Sequence, residues 1–259
     1  MKPKKFNGFH SAIEVWHSEL KDVWSVYLVN EIETDQLELL RKRYKDRGLK
    51  PPSYTALVIK AIALAIDAER EQFPELNGFI WRFLFFRKIH IYQKISCGCV
   101  VAVDMDGEDR VAVGVVQEPQ KKSLSEVTEA VQGFSQPGST AMKNVSLFYG
   151  VPKILQRFFN WIGALSPSIR YENRGTFNIT SVGKFGVDIQ TVPQSASLQF
   201  GFGLIRDRVV ARDGKPVVVP TFNLTVAFDR RIMNGKPASL VMDRIRKILQ
   251  SPDLGGTEK

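Results

Sequence analysis

The hydrophobic and polar positions of the sequence follow two periods, which together predict alternating strands and helices. Residues 24–32 alternate apolar and polar side chains and include β-branched types, as expected for a strand with one buried face. Residues 53–71 are mostly apolar and predict a long buried helix. Thr34 is predicted to cap a helix over 35–47. Further strands are predicted at 79–88, 92–103, 110–117, 176–181, 197–205, 209–219 (with a hairpin turn at 213–214) and 222–228, and further helices at 123–132 and 236–249.

Composition and cysteine usage are typical of one compact domain. The chain has 259 residues, of which 44% are apolar, so a single domain over 1–259 can build a large core. No run approaches the roughly 18 apolar residues of a membrane span. The basic residues 1–5 are not followed by a hydrophobic segment, so we expect no secretory signal. Cys97 and Cys99 share one face of a predicted strand, where neighbours rarely form a disulfide, so we expect reduced core thiols and a cytoplasmic protein.

One segment carries the candidate chemistry, the run LTVAFDRRIMNG at 224–235. It resembles the Asp-His-Arg-x-x-(Asp/Asn)-Gly signature of the catalytic domain of 2-oxo acid dehydrogenase dihydrolipoyl acyltransferases, whose fold chloramphenicol acetyltransferases share. Arg230 stands where this family has its general base, a histidine, and Asn234 stands at the Asp/Asn position. A guanidinium has a pKa above ~12 and cannot accept a proton at neutral pH. The resemblance implies supporting, structural roles at this site for Asp229, Arg231 and Gly235.

Other segments resemble family motifs in the same order along the chain. They lie at 53–65, 73–77, 95–103, 121–125, 174–186 and 192–203, so the resemblance spans roughly 26–249. Thr180 lies where the family places its oxyanion-stabilising serine, and a threonine hydroxyl can donate the same hydrogen bond. The alternative is a strand threonine packed at a subunit seam. The residues predicted to bind substrate beside it are Ser181, Gly183 and Phe185.

The resemblance implies the fold, substrate and assembly of this chain. We expect a chloramphenicol-acetyltransferase-like two-layer α/β sandwich with a mixed β-sheet and packed helices. The expected substrate is a coenzyme A thioester, with no metal ion, and the expected assembly is a homotrimer. Family members carry lipoyl domains upstream, whereas this sequence starts almost directly in the catalytic domain, so we expect no covalently bound lipoyl group on it. We expect no larger core, because the tail 251–259 has one large apolar residue, and no nucleic-acid partner, because recognition motifs are lacking.

Three interpretations of Arg230 stay open. The chain is a catalytically silent binding or scaffold homologue, assembled as a trimer or with an active paralogue. Alternatively, Arg230 favours a thiolate electrostatically, and slow transfer survives because a thiol of pKa ~8.5 is already a few per cent ionised at pH 7. In the third interpretation another residue is the base, and the only histidines are His10, His17 and His90. Nothing in the sequence places one of them near Thr180.

The segment 132–171 departs from the family pattern. Residues 130–171 contain no Asp or Glu but include four basic residues. Between 151 and 162, apolar residues recur at helical spacing and basic or polar ones occupy other angles. Such a basic amphipathic helix either covers the core, lies on an anionic membrane or covers a long acyl chain. The net charge of +9 favours an anionic surface or the phosphates of an acyl coenzyme A.

Overall fold

The computed structural model describes residues 7–18, 23–83, 85–105, 108–136, 138–192 and 196–251. Within these ranges the α-helices are α1 (Gly8–Ser18), α2 (Asp35–Asp46), α3 (Tyr54–Glu69), α4 (Leu124–Phe134), α5 (Thr140–Gly150), α6 (Lys153–Leu165), α7 (Pro167–Arg174) and α8 (Gly235–Leu249). The strands are β1 (Ser25–Glu33), β2 (Gly78–Phe83), β3 (Phe86–Ile91), β4 (Ser96–Met105), β5 (Glu108–Gln117), β6 (Phe177–Ser181), β7 (Leu198–Phe202), β8 (Arg206–Arg212) and β9 (Lys215–Asp229). The predictions made for residues 1–5, 193–195 and 252–259 concern positions outside the described residues.

A mixed sheet of seven strands forms the centre of the fold. Its order is β1-β9-β7-β6-β4-β5, and β8 extends the sheet by pairing with the outer half of β9. Strand β6 runs parallel to both β4 and β7, whereas the other pairs of this sheet are antiparallel. The predicted α/β sandwich with a mixed sheet and packed helices is therefore confirmed.

The main core lies between the sheet and helices α2, α3, α4 and α8. Helix α3 is the predicted long apolar helix; Ser53 caps it by accepting a hydrogen bond from the Ala56 N–H at 3.1 Å. The bulkiest fully buried side chains on the sheet are Phe177, Phe200, Phe222 and Phe228. Burying one such side chain contributes roughly 1.5–3 kcal/mol. A slip of one residue would turn these side chains to the other face of the sheet, so their burial fixes the register of the central strands.

Several predictions about strand boundaries are wrong. The predicted strand 79–88 is a hairpin, β2–β3, that turns between Phe83 and Phe86, and residues 89–91, predicted as a break, belong to β3. No Gly, Pro, Asn or Asp marks a turn within 79–91. The predicted strands 209–219 and 222–228 are joined differently. The hairpin turn at Asp213 is present, and β9 then continues unbroken to Asp229.

Thr34 occupies the predicted N-cap position of α2, but the predicted capping by its side chain is wrong. The Thr34 side chain makes no capping hydrogen bond; instead its hydroxyl donates to the Pro220 carbonyl oxygen at 3.0 Å. Pro220 lies in the outer half of β9, whose residues 215–220 pair with β8 alone. A strand paired on one side tolerates a residue that lacks an N–H. Thr34 therefore ties the start of α2 to the sheet.

The segment 132–171 contains α5 and α6 and part of α7, and its helices differ in what they bury. Helix α5 covers a small core with α1 and strands β4 and β5. In α6 the polar residues Gln156 and Asn160 are buried, and Ile154 is 76% exposed. The interpretation of this predicted amphipathic helix as a core-covering helix is therefore wrong for the single chain, because most of its large apolar side chains are exposed.

Both cysteines lie in the core on β4. Cys97 and Cys99 are buried and unpaired, as predicted. Burial raises the pKa of both thiols, that of Cys99 to about 12. Both side chains are therefore neutral core residues at physiological pH.

Candidate active site

Thr180 lies near the carboxyl end of β6, between Val100 of β4 and Gly201 of β7. It is half-buried. Its carbonyl oxygen accepts a hydrogen bond from the Gln190 amide at 2.9 Å. No side-chain hydrogen bond within the described part of the chain engages the Thr180 hydroxyl. The hydroxyl is therefore able to donate to an added ligand.

The loop after Thr180 is held by its own backbone geometry. The Ser181 hydroxyl donates to the Phe202 carbonyl oxygen at 3.1 Å and accepts from the Gly183 N–H at 3.4 Å. A Cβ on Gly183 would lie 2.7 Å from the Gly203 carbonyl oxygen, so only glycine fits this contact. Gly186 has a φ of +81°, in the left-handed region. Ser181 and Gly183 thus shape the loop, and Phe185 projects from it exposed.

Gln190 and Thr225 are site residues that the sequence analysis missed. The Thr225 hydroxyl donates to the Gln190 carbonyl oxygen at 2.7 Å, which brings the loop back across the sheet. A Cβ on Gly201 would lie 2.8 Å from Nε2 of Gln190, so the glycine makes room for this side chain. No sequence motif predicts this contact between Gln190 and Thr225, because it depends on the register of β7 against β9.

Arg230 follows directly after the end of β9. Its backbone N–H donates to the Trp24 carbonyl oxygen at 2.9 Å. Its Nη1 donates to Oδ1 of Asn234 at 2.7 Å. Asn234 precedes α8 but makes no capping hydrogen bond. The Asn234 side chain therefore contacts Arg230 and does not cap α8.

Asp229 and Arg231, on either side of Arg230 in the sequence, form a local ion pair. Asp229 is buried, and its Oδ1 accepts from the Arg231 backbone N–H at 3.0 Å and from Nε at 2.9 Å. Its Oδ2 accepts from Nη2 of Arg231 at 2.5 Å. A bidentate ion pair of this kind fixes the backbone where the strand ends. The next element, α8, begins at Gly235.

The two halves of the predicted site lie at opposite ends of the sheet. Thr180 is paired with Gly201, and Gly201 with Thr225, so two strand spacings separate Thr180 from β9. Asp229 lies four residues beyond Thr225 toward the other end. At about 4.8 Å between strands and 3.3 Å per residue, the Cα atoms of Thr180 and Asp229 are on the order of 16 Å apart. One chain therefore does not bring Thr180 and Arg230 onto the same reacting atoms.

Each of the three histidines has local contacts of its own. Nδ1 of His10 lies 2.8 Å from Oδ1 of Asn7, and Nδ1 of His17 lies 2.8 Å from the Ile13 carbonyl oxygen. His90 packs on β3 with its ring centroid 5.0 Å from that of Tyr92. Burial, and then the charge of Lys88, holds the pKa of His90 below its usual range. No hydrogen bond found in the described ranges links a histidine to Thr180 or Arg230.

Among the residues that the structure describes, no three or more His, Cys, Asp or Glu side chains are grouped so that they could hold a metal ion. No helix in the described part of the chain is long and apolar enough to cross a membrane.

Curated relatives are acyltransferase components of multienzyme complexes. The dihydrolipoyllysine-residue acetyltransferase component of the pyruvate dehydrogenase complex of Bacillus subtilis (strain 168) is 26% identical over 238 residues, covering 88% of this chain and 45% of that protein. The lipoamide acyltransferase component of the branched-chain alpha-keto acid dehydrogenase complex of the same organism is 22% identical over 244 residues, covering 91% and 48%. The chain thus spans about half the length of these relatives.

Solved structures share the fold. A probable dihydrolipoamide acetyltransferase from Listeria monocytogenes 4b F2365 has a TM-score of 0.68 at 21% identity, covering 100% of this chain and 97% of that chain. The cubic core of the pyruvate dehydrogenase multienzyme complex has a TM-score of 0.70 at 17% identity, covering 98% and 93%. The predicted chloramphenicol-acetyltransferase-like fold class is confirmed.

The family's sequence model matches residues 12–143 and 169–255. The match is interrupted inside the segment 132–171, where the sequence departs from the family motifs. Because the matched residues make up most of the chain, it belongs to the 2-oxoacid dehydrogenases acyltransferase (catalytic domain) family.

Proposed function

We propose that this chain transfers an acyl group slowly from a coenzyme A thioester to a thiol acceptor. Membership of the acyltransferase family supports the reaction class. The observation that carries the proposal is the Thr180 hydroxyl, which is half-buried and engaged by no other side chain or backbone group of the described residues. This hydroxyl donates a hydrogen bond to the oxyanion of the tetrahedral intermediate. The loop with Ser181, Gly183 and Phe185 borders the substrate.

The proposed reaction does not use a side-chain base at position 230. The acceptor sulfur, as a thiolate, attacks the thioester carbonyl carbon, and the intermediate then expels the coenzyme A thiolate, which takes a proton from water. The positive charge of Arg230, oriented by Asn234, favours the attacking thiolate over the thiol. Loss of a general base costs about 10²–10⁴-fold, which leaves slow turnover.

We propose that the complete site forms between copies in a homotrimer. The distance between Thr180 and Arg230 supports this arrangement, because a neighbouring chain can place its own Arg230 beside Thr180. The loop also offers an apolar surface for such a contact, in which Phe185, Val187 and Ile189 are exposed. That trimers do not assemble further stays a prediction, because it depends on the tail 251–259, of which residues 252–259 lie outside the described residues.

We further propose a cytoplasmic location. Cys97 and Cys99 are unpaired core thiols. Proteins that fold in reducing compartments keep such thiols, whereas secreted proteins more often oxidise theirs. The location is also where we expect the substrate, an acyl coenzyme A.

The second candidate function is a catalytically silent binding or scaffold protein, assembled as a trimer or with an active paralogue. Arg230 favours it, because the guanidinium cannot accept a proton. In this case the chain binds a coenzyme A thioester without turnover. The two functions therefore differ in acceptor-dependent release of coenzyme A.

The test is a chromatographic assay of free coenzyme A released from acetyl-coenzyme A, with and without dihydrolipoamide. We expect slow, acceptor-dependent release by the wild type. Thr180→Ala lowers kcat by about 10²–10³-fold, because it removes one oxyanion donor. Thr180→Ser, the matched control, keeps the hydroxyl and remains within about tenfold of the wild type. Thioester binding without release would establish the scaffold function, and equal rates for wild type and Thr180→Ala would overturn the role of Thr180.

A further inference from the structure

Helix α6 is packed with its polar side inward. The Gln156 amide donates to the carbonyl oxygens of Gly8 at 3.2 Å and Phe148 at 3.0 Å, and Asn160 accepts from Arg174. On the outer side Trp161 is 53% exposed. The other exposed apolar side chains of α6 are Ile154, Leu155, Phe158 and Phe159. Hydrogen bonds thus hold α6 on the protein, and a set of large apolar side chains faces outward.

The β2–β3 hairpin presents a second group of exposed aromatic side chains. At its tip Phe85 is 96% and Phe86 71% exposed, and Phe83 beside them is also exposed. Arg87 and Lys88 follow immediately on β3. This hairpin forms a two-stranded sheet of its own, separate from the central sheet. Its tip therefore carries bulky apolar side chains next to positive charges, and these apolar side chains do not pack on a hydrophobic core.

The hairpin and α6 are neighbours on the protein. Nε1 of Trp81 on β2 donates to the Leu165 carbonyl oxygen at the end of α6 at 2.8 Å. The Lys88 ammonium lies 4.9 Å from the centre of the Trp81 ring. We call this combined surface, made of β2, Phe85, β3 and the outer side of α6, the aromatic–basic surface.

The charge of the aromatic–basic surface is positive. Residues 76–103 and 130–171 contain no Asp or Glu. Beside α6, helix α1 contributes Glu14, which pairs with Lys153, and α7 contributes Glu172. The exposed residues Arg87, Lys88 and Arg157 lie on the surface itself. A long-range attraction to an anionic partner follows.

We propose that the aromatic–basic surface docks on an anionic lipid bilayer. Phe side chains enter the acyl boundary, Trp161 lies at the level of the headgroups, and Arg and Lys contact the lipid phosphates and carboxylates. A second copy of this chain that presents the same surface face to face is a poorer occupant, because two such surfaces of equal positive charge repel each other. This docking is independent of the proposed acyl transfer, and its test needs no turnover.

Vesicle co-sedimentation tests the proposal with the full chain. We expect binding to phosphatidylcholine vesicles containing about one-third phosphatidylserine, weak binding to phosphatidylcholine alone, and release at high salt. Phe85→Ser with Phe86→Ser lowers the partition coefficient by about tenfold or more, since each ring loses its apolar contact. Arg87→Glu with Lys88→Glu removes the preference for anionic vesicles. When the wild type binds vesicles that contain brominated lipid, we expect the fluorescence of Trp161 to be quenched. Trp161→Phe is expected to lose most of this quenching.

A matched control comes from another exposed hairpin. Val209 and Val218 face each other across β8 and β9 and are 69% and 64% exposed. Val209→Ser with Val218→Ser removes comparable exposed apolar groups and leaves vesicle binding unchanged. Equal, negligible binding to both kinds of vesicle would overturn the proposal. So would a Phe85/Phe86 variant that binds like the wild type, or one that changes only self-association in a sizing column, which would assign the surface to a second copy.

Discussion

Replacing Arg230 with histidine is the sharpest test of the chemistry at this site. In the wild type we expect the rate to follow the thiolate fraction of the acceptor. For a thiol of pKa about 8.5 this fraction is about 3% at pH 7 and grows tenfold per pH unit below the pKa. The logarithm of kcat/KM is therefore predicted to rise with pH at a slope of about one and to level off only near the pKa of the acceptor.

Arg230→His adds a base with an ordinary pKa near ~6.5. Oδ1 of Asn234 lies 2.7 Å from Nη1 of Arg230 and caps no helix, so it can accept from one imidazole N–H and orient the ring. A positioned base contributes about 10²–10⁴-fold, and we expect the lower end, about 10²-fold at pH 7, because both positions are exposed in the single chain. Activity then rises as the imidazole loses its proton and is flat above a pH of about 6.5.

The assay is acetyl transfer from acetyl-coenzyme A to dihydrolipoamide between about pH 5.5 and 9. Arg230→Lys is the matched control, since it keeps a positive charge and adds no base at neutral pH. Adding Asn234→Ala to Arg230→His removes most of the gain if Asn234 orients the ring. Rapid wild-type turnover that Arg230→Ala leaves unchanged would refute the assignment of this site.

Two further predictions concern assembly and the loop. Light scattering behind a sizing column is expected to give about three chains per particle, and Phe185→Asp to give a monomer; a wild-type monomer or a particle of two dozen chains contradicts the proposed assembly. Gly203→Ala places a Cβ 1.9 Å from the Asp188 carbonyl oxygen and is expected to lower the free energy of unfolding by roughly 1–3 kcal/mol in urea denaturation. Gly133→Ala, whose Cβ meets nothing within 4 Å in helix α4, is the control and is expected not to destabilise; equal effects of the two changes would contradict this packing argument.

Elements with one strong local signal were predictable from the sequence. The alternation over 24–32 gave β1, and the apolar run over 53–71 gave α3, because burial decides both. The β2–β3 hairpin was not predictable in this way. Its tip has no turn-forming residue, and its two strands have similar apolar patterns, so only the pairing of Phe83 with Phe86 reveals the reversal.

The side of α6 that faces the protein was equally unpredictable from the sequence. Helical periodicity separates apolar from polar angles but does not say which side faces the protein. The usual assumption, apolar side inward, fails here because Gln156 and Arg174 find hydrogen-bond partners on α1, α5 and α6. The amide nitrogen of Gln156 has such partners, whereas its Oε1 is buried with none among the described residues, so these hydrogen bonds offset only part of the cost of burying the amide.

The arrangement of the candidate site was likewise only partly predictable from the sequence. Motif positions predicted Thr180 and Arg230 as candidate site residues. Around Arg230, Asp229 pairs with Arg231, and Asn234 accepts a hydrogen bond from Arg230. Order along the chain does not show at which end of a sheet a residue lies; register does. The antiparallel pairing of β7 with β9 sends Arg230 away from Thr180. Chemistry that needs both residues therefore requires a second chain, so such activity depends on the assembly of the protein.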